Sequence, residues 1–145
     1  PITDMRMTRF NISLEAGVDL VMFAIGHHLG GEIFIPKIPS YKIGDVATAI
    51  APNIKQIEIG IRPGEKLHEE MITATDALNT IDLGEYYAIL PSVSFKHQKD
   101  EYIKHHNAVM VPEGFHYSSD SNDQWESVES IREKIVEFVD PNFTV

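Results

Sequence analysis

A chain of 145 residues, 43% apolar and 23% charged, has the length and composition of one globular domain or one lobe of a larger protein. Its formal charge of −10 argues against a sequence-independent grip on nucleic acid or an anionic membrane surface, and no apolar run reaches bilayer length, so neither is expected as a partner. The absence of cysteine excludes disulfides, thiolate metal sites and thiol catalysis, and suits a cytoplasmic location.

Residues 1–70 hold nine acids and seven bases, whereas residues 71–145 hold thirteen acids and five bases. Arg6, Arg9 and Arg62 lie in the first part, which is where an anionic small molecule would be sought. Solvated arginines on an acidic surface are the ordinary alternative. The first residue is Pro and no signal peptide is visible, so the start is expected to lie inside a longer chain.

Phe10, Leu14, Val18, Val21, Met22, Ile25 and Leu29 recur at helical spacing and predict a helix over 10–29 with one buried stripe. Gly30-Gly31 stops it. Glu32–Ile35 predicts a short strand closed by Pro36. A short helix is expected over Asp45–Ala51, ended by Pro52. Ile57, Ile59 and Ile61 alternate along Lys55–Ile61 and predict a half-buried strand. Arg62-Pro63-Gly64 reads as a turn and Lys66–Ile72 as a short helix. Residues 79–83 and 86–90 suit two further strands, and the polar stretch 91–116 is expected to be loop-rich. Ser127 caps a final helix over 127–139, whose stripe is Val128, Ile131, Ile135 and Val139. Short strands and helices alternate, so the expected fold class is an α/β lobe that leans on something else.

Motifs for self-sufficient chemistry are missing. His27-His28 and His105-His106 are neighbours that diverge on a helix and make poor metal pairs. His68-Glu69-Glu70 matches half of a zinc-protease motif, but Ile72 stands where the second His belongs, and an exposed helix face is the plainer reading. No metal site is expected. There is no nucleophile elbow, phosphate loop or glycine-rich dinucleotide fingerprint. Neither Tyr86 nor Tyr87 has a Lys four residues on, and Tyr41-Lys42 has the wrong spacing for a Tyr-x-x-x-Lys pair.

Two arrangements suit an anion. Arg62 directly follows a predicted strand, Pro63 keeps it extended, and Gly64 lets the chain turn so that Glu65 comes close behind. A planar guanidinium there can grip a diphosphate through paired hydrogen bonds, while the carboxylate accepts from ribose hydroxyls. A plain surface turn fits the same spacing. Arg6 and Arg9 precede a predicted helix, whose free N–H groups also favour an anion. A solvated basic pair is the alternative.

Four segments carry a resemblance: Ile2–Phe10 (ITDMRMTRF), Gly30–Ser40 (GGEIFIPKIPS), Gly60–Glu69 (GIRPGEKLHE) and Tyr117–Asn122 (YSSDSN). In this order they closely resemble the inverting UDP-N-acetylglucosamine 4,6-dehydratases of pseudaminic acid biosynthesis. These are extended short-chain dehydrogenase/reductases of the polysaccharide-biosynthesis group. The match runs from Pro1 to the final helix, yet covers only the family's C-terminal portion. The resemblance implies that 1–145 is the C-terminal substrate-binding lobe. The Rossmann half, with its NADP fingerprint and catalytic Tyr and Lys, would lie upstream of Pro1. This chain alone is then expected to bind no cofactor, to lack turnover and to expose an apolar patch.

Residue roles follow from the same resemblance. Arg9 and Arg62 match arginines that contact the UDP diphosphate, and Glu65 matches a carboxylate near the ribose. Thr3 matches a position on a short strand beside the uridine, and Ser121 or Asn122 a segment near the substrate. Gly44 departs from the small hydroxyl residue expected as a helix cap. His68 is expected to matter little. The complete enzyme, a lyase expected to be a homo-oligomer, would oxidise the sugar at C4 with NADP+, eliminate water across C5–C6, and return hydride to C6 with inversion at C5. A 4-epimerase or a C5-retaining dehydratase shares the diphosphate clamp. A non-catalytic binding module is the alternative of another class.

Overall fold

The computed structural model describes residues 1–93 and 97–145. In chain order the elements are β1 (Thr8–Phe10), α1 (Leu14–His27), β2 (Ile33–Pro36), β3 (Ser40–Lys42), α2 (Ile43–Ile50), β4 (Glu70–Ile72), a 3-10 turn (Asp76–Asn79), β5 (Thr80–Asp82), β6 (Tyr86–Ile89), α3 (Lys99–His106), β7 (Val109–Met110), β8 (Tyr117–Ser118) and α4 (Val128–Phe138). The expected α/β class holds. The chain divides into two compact units, one made of Ile12–Lys37 and Glu70–Tyr117, the other of Pro1–Asn11, Ile38–Glu69 and Ser118–Val145.

The first of these is a sheet unit. Its strands lie in the order β2-β6-β5-β7, each neighbour antiparallel, with Ile35 opposite Tyr87 and Ile81 opposite both Ala88 and Met110. Ile81, Ala88, Leu90 and Tyr102 form its buried core, with Leu29, Phe34 and Ile103 packed against them. The strands expected at 79–83, 86–90 and 32–35 are β5, β6 and, one residue later, β2.

One expectation fails in this unit, the buried stripe of α1, and another gains detail. The stretch 91–116, expected to be loop-rich, also carries α3 and β7. Its Ser94 to Lys96 lie outside the described residues. Helix α3 turns only Tyr102 fully inward, so it has no apolar stripe to betray it. Its signal lies in charge: Asp100 and Glu101 occupy the first turn, Lys104, His105 and His106 the last, matching the helix dipole, and Asn107 closes it at φ 49°. In α1 the predicted stripe is the wrong one. Leu14, Val18, Val21, Met22 and Ile25 are all more than half exposed, whereas Ala16, Leu20, Phe23 and Ala24 face inward. Both sets have helical spacing, and periodicity does not say which of two apolar stripes finds a partner. Phe23 stacks on Tyr86 with ring centres 4.3 Å apart and meets Phe34 edge-on at 5.5 Å. Phe10, counted in that stripe, belongs to β1; α1 begins after Ser13, whose hydroxyl accepts from the Ala16 N–H.

Glu32 closes the turn after α1. Its carboxylate, wholly buried, accepts from the backbone N–H of Leu29 and of Gly30, both at 2.7 Å, and from His106 Nε2 at 3.1 Å. Burial pushes this carboxyl up, but the N–H groups of Leu29, Glu32 and Gly30 together with His106 outweigh it and hold it below its ordinary value.

The second unit is built around the β1–β3 ribbon, with Arg9 opposite Tyr41, and the packed pair α2 and α4. Ser127 caps α4 as predicted, in a reciprocal arrangement with Ser130. Ile131 is the buried residue of that helix, whereas Val139 lies beyond its end and is exposed. Arg132 donates to the carbonyls of Ala49 and Thr48, satisfying the open end of α2.

Three expectations fail in this unit. Lys55–Ile61 makes no strand; only Glu58 forms a bridge, parallel to Ile2. Ile57, Ile59 and Ile61 are exposed, and an alternating segment without a ladder of neighbours has nothing to be half-buried against. Lys66–Ile72 is not a helix, since its backbone bonds to distant segments instead: Thr8 N donates to Leu67 O and Ser119 N to Glu69 O. Its end is β4, paired with β8. Gly44 is not a cap position, because Lys42 precedes α2 as its cap and Gly44 sits buried in the first turn. A Cβ there would fall 2.8 Å from Met5 Cε.

Candidate functional site

The second unit gathers most of the singled-out side chains. β1 presents Arg9, whose guanidinium is committed to backbone. Nη1 donates to Thr8 O at 2.7 Å and Leu67 O at 3.1 Å, Nη2 donates to Lys66 O at 2.9 Å, and Nε lies 3.5 Å from Glu69 Oε1. An arginine has five N–H donors, so one on Nη2 stays open to a ligand. Arg9 therefore ties β1 to the segment that follows the Arg62 turn. The expected placement of Arg6 and Arg9 at a helix N-terminus does not hold, since Asn11 to Ser13 intervene before α1.

The turn itself forms as expected. Glu65 N donates to Arg62 O at 3.0 Å, and Gly64 takes φ +81°, a region that favours glycine. Glu65 Oε2 accepts from Arg62 N at 3.2 Å, so the carboxylate closes back on the turn. Arg62 is exposed, and its guanidinium has no partner among the described residues.

Thr3, half-buried, follows the bridge in which Ile2 N donates to Ile57 O and Ile59 N to Ile2 O, both at 2.8 Å. Beside it Asp4 is buried, and the Arg6 side chain and backbone N–H hold its carboxyl down at about 2. Asn122 staples its loop to β3 by donating to Ile38 O at 2.8 Å and Ser40 Oγ at 3.0 Å, and its carbonyl accepts from Trp125 Nε1. Ser121 N completes a turn to Ser118 O.

The side chains that sequence reasoning missed form a hub between these parts. Thr8 Oγ1 lies 2.8 Å from His68 Nδ1 and 2.7 Å from Ser119 Oγ, and Ser119 Oγ accepts from Glu69 N at 2.9 Å. Thr8 and Ser119 are buried. His68, expected on an exposed helix face and to matter little, is part of this hub, with its Nε2 4.0 Å from Asp120 Oδ2. Isolated hydroxyls and a histidine carry no period. The only signal was that the hub joins three of the four motif segments, 2–10, 60–69 and 117–122. The fourth reaches the same loop through Ser40, whose N donates to Gln124 O. A cleft of about 580 Å³ opens beside the hub, lined by Arg6, Thr8, Lys42, Asp45, His68, Asp120, Trp125 and Glu126.

Among the described residues no group of three His or acidic side chains could hold a metal. His105 donates to or accepts from no such group; its Nε2 sits at His27 O, and His106 is taken by Glu32. No helix is long and apolar enough to cross a membrane, judged over the described residues.

Known proteins match this chain over most of its length. The family model described as "Polysaccharide biosynthesis protein" matches residues 1–91. A Campylobacter jejuni protein named UDP-N-acetylglucosamine 4,6-dehydratase (inverting) is 49% identical over 138 residues, covering 93% of this chain and 41% of its own length. A Rickettsia canadensis UDP-glucose 4-epimerase is 39% identical over 92 residues, covering 61% of this chain and 27% of its own. The X-ray structure of Pen from Bacillus thuringiensis superposes with a TM-score of 0.73 at 30% identity, covering 94% of this chain and 40% of that one. The chain thus spans about two fifths of the length of the dehydratase it matches.

Proposed function

Since the chain belongs to the polysaccharide biosynthesis protein family, we propose that it is the nucleotide-sugar-binding portion of a dehydratase that converts UDP-N-acetylglucosamine to a UDP-linked 4-keto-6-deoxy sugar with inversion at C5. The observation that carries this reading is the 49% identity to a dehydratase of that name over nearly the whole chain. The motif segments that mark the resemblance are also those that the hub and the Asn122 staple bring together.

In this reading Arg62 is the principal diphosphate ligand, because its guanidinium is uncommitted. Arg9 adds charge and its open Nη2 N–H. Glu65 accepts from the ribose on exchanging its contact with Arg62 N, Thr3 flanks the uracil, and Asn122 fixes the loop beside the sugar. The redox chemistry belongs to NADP, which supplies a hydride acceptor and donor. No dinucleotide fingerprint is present in these residues, so the cofactor is assigned to the remaining length of the protein, together with the catalytic Tyr and Lys. The exposed stripe of α1 is read as a face that this remainder covers. A cytoplasmic homo-oligomer serving flagellin or surface-glycan synthesis completes the proposal.

The test is made on the complete protein. Incubation with UDP-N-acetylglucosamine, followed by NMR of the product, should give the C5-inverted 4-keto-6-deoxy sugar. A C4 epimer instead would favour the second reading, an epimerase, which the Rickettsia relative supports. No conversion, with UDP still bound, would favour a non-catalytic module. Arg62→Ala should weaken UDP binding in calorimetry about ten- to a hundredfold, the value of charge-assisted hydrogen bonds of about 1.5–3 kcal/mol. Arg62→Lys should recover only part of it, since an ammonium loses the paired geometry. Unchanged UDP affinity in Arg62→Ala leaves Arg62 a plain surface turn.

A further inference from the structure

The backbone that leads away from the Arg62 turn is held at Lys66 O, Leu67 O, Glu69 N and Glu69 O. Arg9 holds the carbonyls of Lys66 and Leu67. Thr8 N adds a second donor to Leu67 O. Ser119 takes Glu69 at both ends, its Oγ accepting from Glu69 N and its own N donating to Glu69 O. Between these anchors His68 enters sideways and meets Thr8 Oγ1. Residue 8 is thus the neighbour of one arginine, and residue 68 lies six positions past the other, joined by one side-chain bond across 60 residues of sequence.

The direction of the bonds gives the hub its specificity. Glu69 N–H donates to Ser119 Oγ, so the Ser119 proton is free to go to Thr8 Oγ1, and the Thr8 proton to His68 Nδ1. With the imidazole neutral and its proton on Nε2, every hydroxyl donates once and accepts once, and Nε2–H faces Asp120. Removing the acceptor at Nδ1 leaves the buried Thr8 hydroxyl without an outlet for its proton, and buried polar groups are costly to leave unpaired.

We propose that the Thr8–His68–Ser119 hydrogen-bond chain is a positioning device: it holds the Lys66–Glu69 segment against β1 so that Arg9 and the Arg62 turn stand ready for a nucleoside diphosphate. His68 and Ser119 are positioning residues and touch no ligand themselves. The proposal rests on the nucleotide-sugar reading for its ligand, but the clasp can be read without one.

The complete protein is compared as wild type, His68→Ala, His68→Asn, His68→Gln and Ser119→Ala, using UDP as the probe in calorimetry and amide hydrogen exchange without ligand. Asn places an amide atom where Nδ1 stands, and Gln places it nearer Nε2. His68→Ala and Ser119→Ala should weaken UDP about tenfold, a net hydrogen bond's worth. Exchange at the Thr8, Glu69 and Ser119 amides, which bond to Leu67 O, Ser119 Oγ and Glu69 O, should rise more than exchange in β5 and β6. His68→Asn should restore both affinity and protection, and His68→Gln should not. His68→Ala with wild-type UDP affinity overturns the proposal. So does His68→Asn as weak as His68→Ala, since bulk rather than the Nδ1 bond would then be at work. If Ser119→Ala fails to fold, the three His68 variants decide alone. If wild type binds no UDP, the nucleotide reading falls and with it the ligand role, while exchange still decides whether the clasp exists.

Discussion

In the sheet unit, the side chains that organise the fold are mostly apolar: Ile81, Ala88, Leu90 and Tyr102 are nearly inaccessible. In the unit that carries Arg9 and Arg62, the apolar Ile2, Met7, Ala49 and Ile131 share the interior with the polar Asp4, Thr8, Ser40, Ser119 and Glu126, and the side chains of Arg9, Asn122 and Arg132 bond to backbone carbonyls. Apolar contacts tolerate small displacements, whereas a hydrogen bond weakens steeply with angle and distance. Such bonds fix where Arg9 stands, whereas the Arg62 guanidinium is left exposed at its turn.

That contrast can be broken most easily at Ile81. Ile81→Ala should cost about 2–5 kcal/mol in urea unfolding, since it leaves a cavity in a packed core. Amide exchange should rise in β5, β6 and β7 and stay near wild type at Thr8, Glu69 and Ser119. An equal rise in both places would mean that the two units open as one, and the contrast would lose its energetic meaning.

Glu32 sharpens the contrast as a carboxylate buried in the apolar unit. Glu32→Ala leaves two backbone N–H groups and His106 without their acceptor and should cost about 2–3 kcal/mol. The pH dependence has a definite sign. The folded-state carboxyl lies below its ordinary value of 4.5, so its contribution is complete above that value and is lost as pH falls through the lowered one. Urea midpoints of wild type should therefore drop more steeply below about pH 4.5 than those of Glu32→Ala. Parallel curves would show that the carboxylate is not stabilised by its buried partners.

Gly44→Ala is the smallest effect and tests how tightly the arginine unit is packed. The new Cβ meets the terminal methyl of Met5 at 2.8 Å and its sulfur at 3.5 Å, the far end of a half-exposed flexible side chain that can move aside. Alanine gains up to about 1 kcal/mol of helix propensity over glycine, so unfolding should show a change of a few tenths, favouring the variant. A clear destabilisation would mean that the Met5 side chain is held as firmly as the hub.

The site was legible only in part. Pro63 and Gly64 dictate a turn wherever they stand, so the Arg62–Glu65 geometry followed from local chemistry. That Arg9 faces the carbonyls of Lys66 and Leu67 depends on which segments lie nearby. His68 shows the limit most clearly: its neighbours in sequence suggest an exposed helix, and its role comes from Thr8 and Ser119, 60 and 51 positions away.

The sequence by itself determined the α/β class, the strands β5 and β6, the Ser127 cap of α4 and the turn at Arg62; the cap and the turn followed because capping hydroxyls and Pro-Gly pairs act over a few residues. Only the tertiary structure decided that 55–61 is not a strand, that 66–69 is not a helix, that α3 exists, and which stripe of α1 faces inward. In each of those cases the local pattern allows two states, and the partner that chooses between them is supplied by chain far away in sequence.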